Sequence, residues 1–104
     1  MTVGKKFDQE KPQMALVPPH ALEAVARVLT FGATKYSINN WKYVPDGQFR
    51  YRNAALRHIN SVLKGELIDP ETNEHHLAHA ICCLMFELDS HESGIPLPSG
   101  DSPK

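Results

Sequence analysis

The chain has 104 residues, 41% of them hydrophobic and 22% charged, with a formal net charge of −1. That length holds one small domain with a thin core, and the near-neutral charge removes any general attraction to nucleic acid or an anionic membrane. Cys82 and Cys83 are adjacent and cannot cross-link distant segments, so they read as small buried hydrophobes in a reducing compartment.

No apolar core follows the Met-Thr-Val-Gly-Lys-Lys start, and the longest apolar run, Ala80 to Phe86, is too short to span a bilayer. A cytoplasmic protein is expected. Residues 1–17 mix Lys5, Lys6, Asp8, Glu10 and Lys11 with a short apolar patch at Met14 to Val17, which predicts an extended arm lying on the domain. Pro18-Pro19 sets up a helix start, because proline suits the first helical turn. The first helix is expected over His20 to Lys35, with Leu22, Val25, Val28 or Leu29, Gly32 and Tyr36 recurring at three- and four-residue intervals. Gly32 marks a place where another helix could come close.

Asn39, Asn40, Pro45, Asp46 and Gly47 then predict a long loop from Ser37 to Gln48, and a loop of that length in so small a domain is usually functional. The second helix is expected over Arg50 to Lys64 and ends at Gly65, a natural left-handed terminator. Its expected buried face is Ala55, Leu56, Ile59, Val62 and Leu63, and Arg50, Arg52, Arg57 and Lys64 make the rest basic. Asp69-Pro70-Glu71 reads as an N-cap followed by proline at the first helical position, so the third helix should run from there to about Ser90. Its middle is apolar on nearly every side, which calls for cover all round, part of it from a second chain. Residues 93–104, rich in Ser, Gly and Pro, read as a disordered tail behind a domain over 1–92. The expected fold is all-α: a small bundle of three main helices with an extended N-terminal arm, completed by oligomerisation.

Ligand-type side chains crowd the second and third helices and the bend between them. His76, His79 and Cys83 fall on one stripe of the third helix, where two imidazoles can share an ion or divide ligation and proton transfer. His75, one residue round, should face solvent. Glu66, Asp69 and Glu71 precede them, and hard oxygen ligands suit Mg²⁺ or Mn²⁺. Capping accounts equally for Asp69 and Glu71, whereas Glu66 has no comparable structural task and weighs more as a ligand. Arg57 can fork onto phosphate oxygens, and His58 beside it can act as base or ligand. Lys35, Tyr36, Asn40 and Trp41 bracket the start of the long loop and suit a nucleotide, although Tyr36 and Trp41 equally well pin that loop to the core. Lys6, Asp8 and Lys11 are weaker candidates for ligand contact.

The ordered pieces Lys6-Phe7-Asp8, Lys11-Pro12, Leu29-Thr30-Phe31-Gly32-Ala33, Lys35-Tyr36, Asn40-Trp41, Ala55-Leu56-Arg57-His58, Gly65-Glu66, Asp69-Pro70-Glu71-Thr72 and His76-Leu77-Ala78-His79-Ala80 carry a resemblance. Over about residues 5–90 the chain resembles the phage and bacterial dATP/dGTP diphosphohydrolase domain, a MazG-like branch of the all-α nucleoside triphosphate pyrophosphohydrolases. The resemblance implies a metal-dependent helical homodimer or homotetramer that releases pyrophosphate from purine deoxynucleoside triphosphates, in the host cytoplasm if phage-encoded. It implies no nucleic-acid polymer and no membrane as partner. The metal ligands would be Glu66, Asp69, His76 and His79, for Mg²⁺ or Mn²⁺, with Glu66 and His58 taking part in the chemistry. Lys35, Arg57, Tyr36, Asn40 and Trp41, with Lys6 and Lys11, would bind the substrate. One departure from MazG relatives is that no carboxylate lies between Arg50 and Lys64, where they carry Glu-x-x-Glu; imidazole in place of oxygen favours manganese. Two rival readings are a metal-dependent phosphohydrolase releasing single phosphates and a non-enzymatic helical interaction module.

Overall fold

The computed structural model describes residues 2–100, in the order 3₁₀ turn Met14–Leu16, α1 Pro19–Lys35, 3₁₀ turn Asn40–Tyr43, α2 Gly47–Leu63 and α3 His76–Ser93. The fold is all-α. Pro19 occupies the first position of α1 as expected, and the helix ends where Tyr36 donates its backbone N–H to Gly32 O at 2.9 Å. Gly32 has open space where a side chain would stand, so it marks no close helix approach.

α2 begins three residues ahead of its expected start. Its first amides have no partner within the helix. Asp46 N–H donates to Ser99 O at 2.8 Å and Gly47 N–H to Pro98 O at 3.2 Å, so residues 94–100, part of the expected tail, run back along this end of the helix. At its other end α2 stops as the glycine foretold. Gly65 sits at φ +95°, Glu66 N–H reaches Ser61 O and Gly65 N–H reaches Val62 O, both at 2.9 Å, which is a Schellman closure.

The third helix departs most from expectation. It starts at His76, not Pro70, and Asp69 caps no helix. Asn73 lies at φ +61°, which no helix interior holds, and its N–H returns to Asp69 O at 2.8 Å. Asp69 N–H bonds Glu74 O at 2.9 Å, His76 N–H bonds Leu67 O at 2.8 Å, and Ile68 bridges His75, so 67–76 is a tight bend. Thr72 and Asn73 are turn formers, and they outweigh the proline start signal. His75 is the N-cap, its Nδ1 accepting Leu77 N–H at 3.0 Å, and it is partly buried.

α3 packs on both other helices, more extensively on α2. Val25 and Val28 of α1 meet Ala78 and Cys82 of α3 in a small core, flanked by Ala24 and Phe86. Small residues one turn apart on α3 let the branched valines seat closely, and each buried valine is worth about 1.5–3 kcal/mol. Arg27 donates from Nε to both carboxylate oxygens of Glu74, tying α1 to the bend, and Arg52 pairs with Glu87 between α2 and α3.

Several apolar surfaces remain uncovered, among them Leu56 and Leu63 of the expected buried face of α2, which are 64% and 79% exposed. Residues 2–18 are exposed throughout, so the arm is extended but does not lie against the bundle. On α3, Leu77, Ile81, Leu84, Met85 and Leu88 form an outward stripe that is 41–59% exposed. Among the described residues no helix is long and apolar enough to cross a membrane.

Candidate functional site

A cavity of about 920 Å³ opens between the three helices and the 36–45 loop. Lys35, Tyr36, Asn40, Trp41, Arg57, His58, Asp69 and His79, eight of the residues singled out from the sequence, line it. They come from the end of α1, the second 3₁₀ turn, one face of α2, the bend and the first turn of α3.

At the C-terminal half of α2 the polar side chains form a connected network. His58 Nδ1 lies 2.8 Å from His76 Nδ1, and His76 Nε2 lies 2.8 Å from Glu66 Oε1. The His58 and His79 rings stack with centroids 4.6 Å apart and planes 11° from parallel. His79 Nε2 stands 2.7 Å from Thr72 Oγ1 and 3.2 Å from Asp69 Oδ2. Asp69 Oδ1 accepts Glu71 N–H at 3.0 Å, which orients the carboxylate. Burial holds both His58 and His79 below the usual histidine range; the neighbouring imidazoles add to this at His58, while Asp69 partly opposes it at His79. Both rings are therefore neutral near pH 7, the form that ligates metal.

The four expected metal ligands do not make one cluster. His58, Asp69 and His79 each offer a ligand atom, and these atoms lie within 4.8 Å of one another. Glu66 and His76 stand behind His58 as a hydrogen-bonded pair, because Glu66 follows the Schellman glycine and turns toward the first residue of α3. The trio fits a divalent ion. Donor atoms around an ion with bonds of about 2.1 Å lie at most about 4.2 Å apart, so side chains whose donor atoms lie within 4.8 Å need only a small inward movement to share one. Two imidazoles and one carboxylate suit manganese or another transition metal better than magnesium. Cys83 lines the cavity, but burial pushes its thiol up to about 11, so it is no ready thiolate ligand.

The other half of the wall is aromatic and basic. Trp41 stacks on Phe86 with centroids 4.6 Å apart, and Tyr51 donates its hydroxyl to Trp41 O at 3.1 Å, so Trp41 does pin the loop while still lining the cavity. Tyr36 is largely exposed. Lys35 Nζ is paired with Glu71 at 2.8 Å, whereas Arg57 has no ion pair among the described residues. Lys6 and Lys11 lie in the exposed arm and do not line the cavity. Arg50, Asn53 and Thr72 line it and were given no role from the sequence. Arg50 and Asn53 share a helix face with Arg57 at seven- and four-residue spacing, a signal that was readable. Thr72 joins the site only because the bend folds back on α3.

The all-α bundle thus places a histidine–carboxylate cluster at one part of a cavity whose lining is largely apolar and carries the basic side chains Lys35, Arg50 and Arg57. The family model described as dATP/dGTP diphosphohydrolase, N-terminal, matches residues 1–96, and the chain belongs to that family. It is similar to a dATP/dGTP diphosphohydrolase of Salmonella phage PMBT28, with 42% identity over 83 residues. That match covers 80% of this chain and 28% of the relative, so the chain spans little more than a quarter of the relative's length. No solved structure matches.

Proposed function

We propose that this chain binds a purine deoxynucleoside triphosphate in the interhelical cavity and hydrolyses it to the monophosphate and pyrophosphate. The observation that carries the reading is a cavity whose wall joins the His58–Asp69–His79 trio to Arg57 and to the aromatic loop. The family membership supports a nucleotide substrate.

In this reading Arg57 and Arg50 stand on one face of α2 about 10 Å apart along its axis, and they receive the charge of the phosphate chain. Lys35 joins them by exchanging Glu71 for a phosphate oxygen. Asn40 hydrogen-bonds the base or sugar beside Tyr36 and the part of Trp41 not covered by Phe86. His58, Asp69 and His79 would hold a Mn²⁺ or Mg²⁺ ion, which when bound would supply charge neutralisation for the triphosphate as water attacks the α-phosphorus. Cys82 and Cys83 are free thiols, in keeping with action in a reducing cytoplasm. The outward stripe of α3 supports a homodimer or homotetramer, since a contiguous apolar face of this kind is ordinarily covered. Sedimentation of the wild type against Leu84→Lys tests the assembly: the variant should be the smaller species.

The decisive experiment incubates the chain with dGTP and dATP in the presence of Mn²⁺ or Mg²⁺ and identifies the products. Monophosphate with pyrophosphate is expected. Release of single phosphates would replace the reaction while keeping the site, and absence of both turnover and nucleotide binding would sink the reading.

A further inference from the structure

Glu66 and His76 sit outside the ligand trio, yet His76 is 4% exposed and both its ring nitrogens are engaged at 2.8 Å. We infer that Glu66 and His76 are positioning residues, which hold His58 as the tautomer protonated on Nδ1 and so reserve its Nε2 lone pair for a divalent ion shared with Asp69 and His79. This inference rests on the metal reading of the trio proposed above.

The argument is a count of protons along a chain of hydrogen bonds. An ionised carboxylate only accepts, so the bond between Glu66 Oε1 and His76 Nε2 takes its proton from His76. In a neutral imidazole the other nitrogen is then bare. His76 Nδ1 accepts, and the proton in the contact between the two Nδ1 atoms belongs to His58. A neutral His58 is left with Nε2 as its free acceptor.

Position reinforces this. His76 is the first residue of α3, its backbone N–H is bonded to Leu67 O at 2.8 Å, and its buried ring is held at both nitrogens. The Glu66 side chain is 56% exposed and keeps its solvation while accepting the bond. A ligating histidine generally needs such a partner on its other nitrogen to set tautomer and ring orientation. Here a second histidine relays the carboxylate, since His76 meets Glu66 through one ring nitrogen and His58 through the other.

Two measurements on the full chain test this, neither of them activity. The first is nitrogen NMR of the histidine rings in the metal-free protein: His58 should be protonated on Nδ1 and bare on Nε2, and His76→Ala should abolish that preference. The second is Mn²⁺ titration without nucleotide. His76→Ala and Glu66→Ala should each weaken binding about 10–100-fold, with Glu66→Gln, which keeps an acceptor oxygen, restoring most of the loss. Glu66 is exposed enough that its variants fold even if removing His76 disturbs the bend. A wild-type His58 protonated on Nε2 overturns the inference. So does Mn²⁺ affinity that the Glu66 variants leave unchanged. Failure of nucleotide hydrolysis with the tautomer as stated would count against the proposed reaction alone.

Discussion

The two halves of the cavity wall are built in opposite ways. In one, His58 of α2 enters a network in which His76, Glu66, His79, Thr72 and Asp69 all hold defined partners. In the other, Arg50 makes one weak contact at 3.3 Å to Pro45 O, and Arg57, the residue before His58, has no ion pair among the described residues. The first wall is preorganised, as a site must be when it holds a small ion at fixed distances. The second keeps its cations uncommitted, as suits a flexible, highly charged ligand that supplies its own acceptors. No buried side-chain nitrogen or oxygen among the described residues lacks a partner, so the order of the first wall is not gained by stranding polar groups.

If that division is real, changes in the two halves should separate metal binding from nucleotide binding. The largest effect belongs to Asp69→Asn, which keeps an oxygen for the Glu71 amide but loses the charge. Turnover should fall at least ~100-fold, with Mn²⁺ affinity falling alongside and the helical circular dichroism unchanged. A variant that turns over normally would erase the distinction between the halves.

Next in size is Arg57→Ala. It should raise KM for the triphosphate about 10-fold or more, the worth of a hydrogen bond to a charged group, and leave Mn²⁺ affinity as it was. Joint loss of both affinities would show that the halves act as one unit. Glu71→Gln is a smaller, opposite test. It frees Lys35 from its exposed pair and should tighten nucleotide binding by up to about fivefold, since such pairs are worth at most about 1 kcal/mol.

The smallest effect lies in the frame between the walls. The Arg52 guanidinium, hydrogen-bonded to Glu87, holds that carboxyl below its usual range. A carboxylate depressed in the folded state stabilises at pH above its unfolded pKa, and the contribution fades as pH falls through the folded value. Glu87→Gln should therefore lower the urea midpoint slightly at neutral pH, and the difference from wild type should close on the acid side. A gap that widens with acid would mean Glu87 is not paired in solution.

How these walls arise divides between local pattern and tertiary contact. The three helices, the terminating Gly65 and the concentration of histidine and carboxylate near the bend were readable from the chain, because periodicity, proline and glycine act within a few residues. The early start of α2 was not, because its first amides are capped by Pro98 and Ser99, some fifty residues away, beyond any local signal. Nor was the delayed start of α3 read correctly: Asp69-Pro70 looks like a helix start, but Asn73 in the left-handed region closes a bend instead.

The sequence alone thus determined an all-α bundle, the family to which its motifs belong, and the list of residues able to carry phosphate chemistry. Only the tertiary structure decided which of them meet: His58 joins Asp69 and His79, while Glu66 and His76 become a hydrogen-bonded pair behind it. The physical reason is that residue type sets what a side chain can donate or accept. The path of the backbone through one ten-residue bend sets which partner it faces, and hydrogen-bond direction at that range is invisible to spacing along the chain.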